Sequence, residues 1–97
     1  MDFEAVATEY FLSQLQTLDE KTKRIIKSKI ELAKIDPFRN KRIHSSNFSH
    51  VYRIRLNIEN EESRLIYAVI GNRIVFVCIL DRKQDYKDLE KHLKNLV

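Results

Sequence analysis

Two arginines on one predicted strand are the residues of this chain best suited to chemistry. Residues 51–58 predict a β-strand, because polar and apolar side chains alternate without a break from Tyr52 to Ile58 and successive side chains of a strand point to opposite faces. Arg53 and Arg55 then share one face. A guanidinium group binds phosphate oxygens in pairs and keeps its charge. The opposite face of the strand would contribute to the core through Tyr52, Ile54, Leu56 and Ile58.

The charge distribution around this strand favours a polyanionic partner. The net charge is +4, and residues 37–58 contain no acidic residue. A one-signed segment in a small basic domain indicates nucleic acid first, with an ordinary solvated surface as the alternative. The acidic run at 59–62 is interpreted as a solvated turn. The basic residues of the segment are Arg39, Lys41, Arg42, Arg53 and Arg55.

Length and composition predict a single domain over residues 1–97. No apolar run approaches the roughly 20 residues that a membrane span needs. The acidic start of the chain lacks the features of a signal peptide, so we expect a cytoplasmic protein. The single Cys78 fits this expectation, and its position in an apolar strand predicts a buried structural thiol.

The segments around the arginine strand predict the elements that must position it. A first strand is expected at 3–7, and two helices are expected at 9–17 and 20–35, capped by Thr8 and Asp19. The Asp36-Pro37 step ends the second helix, and residues 38–50 are predicted to form a loop.

Three strands are expected at 51–58, 63–70 and 73–80, with a hairpin turn at Gly71-Asn72, and a last helix at 86–96. The order β-α-α-β-β-β-α predicts an α+β fold. An N-terminal helical hairpin and a C-terminal helix would pack on an antiparallel sheet.

Four segments of the chain form a pattern: ATEYFL at 7–12, IDPF at 35–38, YRIRL at 52–56 followed by SRLIY at 63–67, and LDRK at 80–83 followed by DY at 85–86. These segments resemble the RelE/ParE superfamily of small toxins from prokaryotic type II toxin–antitoxin systems. Their order and spacing cover nearly the whole chain. The resemblance implies a compact sheet with two N-terminal helices on it.

The resemblance also implies a function. The RelE branch is a ribosome-dependent mRNA endonuclease that cleaves by attack of the 2′-OH without metal or cofactor. The ParE branch inhibits DNA gyrase and cleaves no RNA. Both branches are neutralised by a cognate antitoxin protein. We expect a RelE-like toxin whose partners are an antitoxin, the ribosome and mRNA, with no membrane partner. The alternatives are a ParE-like gyrase inhibitor and an inactive RNA-binding relative.

The same resemblance implies the site residues. Arg64, Arg82 and Tyr86 match catalytic positions, the two arginines for phosphate stabilisation and the tyrosine for base stacking or acid chemistry. Arg53, Arg55 and Lys83 would bind substrate. Without the resemblance, exposed arginines on a half-buried strand are common, and Tyr86 is in phase with the apolar residues of the last helix.

This chain departs from the family pattern in ways that bear on proton transfer. Asp81 precedes the closing arginine, where many relatives have histidine or lysine, and a carboxylate there would pair with Arg82. Arginine replaces lysine at both signature positions, and guanidinium rarely gives up its proton. His50 is conceivable as a base, although strand phase places it with Tyr52 rather than Arg53. The sequence identifies no proton acceptor.

Overall fold

The computed structural model describes residues 3–81, 87–94 and 96. Within this part of the chain, one five-stranded sheet has the strand order β1-β5-β4-β3-β2. The strands from β2 to β5 are antiparallel to their neighbours, whereas β1 is parallel to β5. The elements are β1 (Glu4–Ala7), α1 (Glu9–Gln16), α2 (Glu20–Ile35), β2 (Lys41–Ile43), β3 (Val51–Ile58), β4 (Glu61–Ile70), β5 (Arg73–Asp81) and α3 (Lys87–Lys94).

The predicted α+β class, the helical hairpin and the C-terminal helix are confirmed, and the bounds of α2 and β3 are those predicted. The prediction that residues 38–50 form only a loop is wrong for β2. This strand of three residues has no periodicity of its own and forms because it pairs with the edge of β3. The sheet is also not antiparallel throughout, because β1 joins it alongside β5 in the parallel direction.

The helical hairpin covers one face of the sheet and buries the larger core. Phe11 of α1 and Ile26 and Ala33 of α2 are each about 1% exposed there. They belong to the same cluster as the strand residues Tyr67 and Phe76. Apolar residues at helical spacing therefore meet alternating apolar residues of the strands, as the two periodicities require.

The second face of the sheet carries a separate apolar cluster beneath α3. Leu89 and Leu93 of α3 are buried in it against Ile66, Val77 and Cys78. A β-bulge lets Val77 and Cys78, which are neighbours in sequence, both join this cluster, because the register of β4 with β5 shifts between residues 66 and 67. Cys78 is buried, as predicted, and burial raises the pKa of its thiol to about 12.

Beyond the end of β1, side chains of α1 and of its N-cap form hydrogen bonds with the backbone of β5. The Thr8 hydroxyl donates to the carbonyl of Val77 at 2.7 Å and accepts from the N–H of Phe11 at 3.0 Å, so it also caps α1. The Gln14 amide donates to the carbonyl of Ile79 at 2.8 Å and accepts from its N–H at 2.7 Å. The helix thus satisfies backbone groups that a further strand would otherwise bind.

Asp19 caps α2 as predicted, since its carboxylate accepts the N–H of Thr22 at 2.7 Å. Hydrogen bonding from Thr22 holds the pKa of Asp19 below its usual value. None of the helices in the described part of the chain is long and apolar enough to span a membrane.

We predict that Gln14→Ala lowers the free energy of unfolding by about 1–3 kcal/mol, because it leaves the N–H and C=O of Ile79 without partners. Gln16→Ala is the matched control, since Gln16 lies on the same helix and is exposed; its effect should stay within about 0.5 kcal/mol. Chemical denaturation of both variants measures the difference. Equal stabilities would contradict the structural role of Gln14.

Candidate nucleic-acid interface

The register of β3 with β4 brings three of the predicted arginines onto one face of the sheet. Arg55 lies directly opposite Arg64, and Arg53 lies opposite Ile66, two residues further along. Opposed residues and residues two apart share a face. The side chain of Arg55 is 68% exposed, whereas Arg53 and Arg64 are half-buried. The shared face that alternation predicted for Arg53 and Arg55 is therefore confirmed, and Arg64 of β4 joins it; we call the face formed by these three residues the arginine face.

The edge strand β2, which the sequence analysis did not predict, extends the arginine face. Lys41 of β2 lies opposite Arg53 and is exposed. The positive surface therefore crosses three strands, β2, β3 and β4. Sequence reasoning placed Lys41 in a loop, because a strand of three residues has no pattern of its own. Its basic neighbourhood was the signal that pointed to this region.

The turn between β3 and β4 sets this register. Ile58 pairs with Glu61, so the loop has two residues, Glu59 and Asn60. Their φ angles are +52° and +66°. Two positive φ angles are typical of the turn that matches the twist of a tight hairpin. A residue such as Glu59 that has a Cβ atom adopts this conformation at a cost of about 1–2 kcal/mol.

Glu62 places a carboxylate on the arginine face. It lies opposite Asn57, and its Oε1 is 3.7 Å from the Nε of Arg55. The interpretation of the acidic run at 59–62 as merely solvated is therefore wrong for Glu62, which forms an ion pair. The two-residue turn was the signal that could have placed it there, since the turn fixes which residues of β3 and β4 are opposed.

Three of the predicted site residues, Arg82, Lys83 and Tyr86, lie outside the described residues. Asp81, the departure from the family pattern, ends β5 opposite Ser63. Ser63 is in turn opposite Leu56, which belongs to the core under the helical hairpin. Asp81 therefore occupies a strand position on the opposite face of the sheet from Arg64.

The predicted phase of His50 is confirmed. Its Nδ1 lies 3.5 Å from the hydroxyl of Tyr52, whose side chain belongs to the core face rather than the arginine face. Among the described residues, no group of three or more His, Cys, Asp and Glu side chains is placed to hold a metal ion.

An aromatic group that sequence analysis did not identify lies at the edge of the sheet beside β2. We call Phe38, His50 and Tyr52 the aromatic corner. The ring of Phe38 makes edge-to-face contacts with both others, at centroid distances of 5.8 Å to His50 and 6.1 Å to Tyr52. Phe38 is 50% exposed. No sequence pattern predicts this group, because its members come from a turn, a loop and a strand.

Tyr67 anchors the turn that carries Phe38. Its hydroxyl donates to the carbonyl of Pro37 at 2.6 Å and accepts from the amide of Asn40 at 2.9 Å. Its side chain is fully buried and stacks on Tyr52 with the ring centroids 5.4 Å apart. Burial raises the pKa of Tyr67 to about 12, so the hydroxyl remains a donor well above neutral pH.

Comparison with known proteins gives a fold but no sequence family. No protein-family model and no curated protein sequence matches the chain. Among solved structures, a double arginine-to-alanine mutant of E. coli toxin RelE in the free state is similar over 100% of both chains, with a TM-score of 0.72 and 17% identity.

Two toxin–antitoxin complexes are also similar. The chain matches the intact E. coli RelBE complex with a TM-score of 0.68 and 19% identity, over 84% of this chain and 99% of that one. It matches the archaeal RelE–RelB complex from Pyrococcus horikoshii OT3 with a TM-score of 0.64 and 15% identity, over 88% and 100%. The chain has the fold of the RelE toxins, as its sequence resemblance predicted.

We predict that Tyr67→Phe lowers the free energy of unfolding by about 1–3 kcal/mol at neutral pH, because the carbonyl of Pro37 loses its donor. The folded-state pKa is raised from 10 to about 12, so the contribution of the protonated tyrosine is complete below pH 10 and is lost as pH rises towards 12. Denaturation across this range should show the difference from the native chain shrinking. A difference in unfolding free energy that stays constant up to pH 12 would contradict the role of the protonated Tyr67 hydroxyl. Tyr10→Phe is the control, because Tyr10 is exposed.

Proposed function

We propose that this protein is the toxin of a toxin–antitoxin pair and a metal-independent endoribonuclease that cleaves mRNA on the ribosome. One observation carries the proposal: Arg55 and Arg64 are directly opposed on one face of a RelE-like sheet, with Arg55 exposed and Arg64 half-buried. Like charges in directly opposed positions destabilise a sheet. A phosphate bound between the two guanidinium groups would interact favourably with both.

The chemistry of RNA cleavage matches this surface. The 2′-OH attacks the adjacent phosphorus in line, the phosphorane gains negative charge, and the 5′-oxygen leaves with a proton. Fixed cations aimed at the developing charge are the main contribution that a protein makes to such a step. Arg64 stabilises the phosphorane in our assignment, and Arg53 and Arg55 hold the nucleotides around the scissile bond.

Three further residues complete the proposed site. Arg82 is assigned to phosphate stabilisation, Tyr86 to stacking on a base or protonating the leaving oxygen, and Lys83 to substrate binding. These three assignments depend on the sequence resemblance.

Glu62 supplies the proton acceptor that the sequence alone did not reveal. An ionised carboxylate accepts protons, and Glu62 lies beside Arg55 on the face where the phosphate would bind. A general base contributes about 10²–10⁴-fold to the rate of a reaction. We assign Glu62 to deprotonate the 2′-OH, while Arg55 orients its carboxylate.

An antitoxin is the proposed protein partner. The similar structures include RelE bound to RelB from both E. coli and Pyrococcus horikoshii. We infer that this chain is likewise held inactive by a cognate antitoxin.

Arg64→Ala should reduce mRNA cleavage in translating ribosomes by about 10²–10³-fold, as loss of one donor to a developing oxyanion does. Primer extension on the mRNA measures the cuts. The control is Arg73→Ala, because Arg73 is exposed at the other end of the sheet and pairs with Glu4. Full cleavage by the Arg64 variant would contradict the assignment. Absence of cleavage by the native chain, together with gyrase-dependent DNA damage, would replace it with the ParE-like function.

Glu62→Gln should separate cleavage from binding. Removing the base lowers the cleavage rate by about 10²-fold or more, whereas affinity for RNA stays equal or rises because a negative charge has left the phosphate site. Glu61→Gln is the control, since this adjacent residue is exposed and points to the other face. Faster cleavage by the Glu62 variant would show that the carboxylate only neutralises Arg55.

A further inference from the structure

The aromatic corner presents a ring that is both exposed and held in place. Phe38 is 50% exposed, yet it contacts His50 and Tyr52 edge to face, and Phe3 in the same way at 5.9 Å. Exposed phenylalanine is unfavourable in water. Its fixed orientation beside an exposed histidine makes a platform of rings at the edge of the sheet.

The turn that carries Phe38 is tied to the core at several points. Tyr67 binds the carbonyl of Pro37 and the amide of Asn40, the residues on either side of the turn. The N–H of Phe38 also donates to the carboxylate of Asp36 at 3.3 Å. An aromatic surface that is already ordered loses little conformational entropy when a ligand stacks on it.

The residues around the platform are positively charged. Arg39, Lys41 and Arg42 are all exposed. Within residues 3–81, 87–94 and 96, these three side chains form no ion pair. Asp36 is the nearest acid along the chain, and its carboxylate is engaged by the backbone of the turn. The electrostatic surroundings therefore favour an anionic ligand.

The edge strand β2 joins this platform to the arginine face. Lys41 lies opposite Arg53, on the arginine face, and Arg42 lies opposite Tyr52, on the side of the aromatic corner. A single strand of nucleic acid that crosses the edge at β2 would meet cations continuously. Aromatic rings combined with a basic groove are the usual means of binding single-stranded nucleic acid.

We propose that the aromatic corner is a base-stacking subsite for single-stranded RNA, in which a base next to the scissile region stacks on the ring of Phe38 and meets the nearly perpendicular ring of His50 at its edge, while Arg42 and Lys41 hold the adjoining phosphates. This inference rests on the proposed function for the identity of the ligand as RNA. It assigns a binding role to four residues that lie outside the arginine face or at its margin.

Another surface is better suited to a protein partner and serves as the control. Leu32 and Ile35 of α2 are 59% and 79% exposed, and they line a shallow groove with Arg24 and Lys27. That groove has apolar side chains and cations but no aromatic ring. It therefore resembles the aromatic corner in its exposed apolar side chains and cations, although Glu31 also lines it, and it lacks the feature to which we attribute stacking.

The test measures binding in the absence of cleavage. A fluorescent octanucleotide with 2′-O-methyl groups cannot be cut by attack of the 2′-OH, so anisotropy reports its affinity alone. Phe38→Leu should weaken binding about fivefold or more, the lower limit for losing one stacked base. Leu32→Ala should leave the affinity unchanged. Thermal unfolding of both variants verifies that the fold is retained.

An abasic octamer distinguishes stacking from attraction to the backbone. Phe38→Leu should bind the abasic octamer as tightly as the native chain does, since there is no base to stack. Arg42→Gln should weaken both octamers equally and reduce the slope of log affinity against log salt by about 1. Equal losses on the two octamers for Phe38→Leu would overturn the stacking assignment.

The outcomes separate this inference from the proposed function. Unchanged octamer binding by Phe38→Leu, together with loss of cleavage in Arg64→Ala, would overturn the subsite and leave the nuclease in place. Weaker octamer binding by Phe38→Leu in a chain that never cleaves mRNA would support the subsite on an RNA-binding protein without nuclease activity. If Phe38→Leu weakens binding to the antitoxin but not to RNA, the corner is a protein-docking site and the inference is wrong.

Discussion

The pairing register of β3 with β4 is the constraint on which the rest of the structure depends. A shift of one residue would turn every side chain of a strand to the other face. Arg53 and Arg55 would then enter the core beneath the helical hairpin, and Tyr52 and Ile54 would face solvent. The two-residue turn at Glu59 and Asn60 and the apolar alternation of β3 both select the observed register. The backbone strain at Glu59 is therefore tolerated because the buried face of β3 and β4 determines the pairing independently.

At the β5 edge of the sheet, side chains of residues 8 and 14 take the place of part of a strand. β1 pairs with β5 only from residue 73 to residue 76. Beyond that point Thr8 and Gln14 bind the backbone of β5 from α1. The bulge at Val77 and Cys78 lies in the same region, and it turns two consecutive side chains towards α3. This arrangement covers an edge that would otherwise be open to pairing with another chain, and it fixes the first helix and the last helix relative to the same strand.

The sequence predicted the elements whose signals are local. The bounds of α2 follow from the cap at Asp19 and the proline at 37, and those of β3 follow from strict alternation. β2 was missed because its three residues form a strand only when β3 offers an edge. The role of Glu62 was missed because it depends on the register across the hairpin rather than on residues near it in sequence.

The aromatic corner was missed because tertiary packing alone brings residues 38, 50 and 52 together. The assignments of Arg82, Lys83 and Tyr86 stay predictions.

The arrangement of charge explains how one small sheet can serve both stability and binding. The face under α3 is apolar where Leu89 and Leu93 cover it, and it becomes basic towards the hairpin turn and the β2 edge. Directly opposed like charges disfavour strand pairing unless other groups compensate them, and Arg55 and Arg64 are opposed in this basic region. Glu62 relieves part of the repulsion through Arg55, but at 3.7 Å and with an exposed partner the ion pair is weak. A single side-chain carboxylate therefore cannot neutralise a surface that spans three strands, whereas a polyanion with several phosphates can interact with the cations that Glu62 leaves uncompensated.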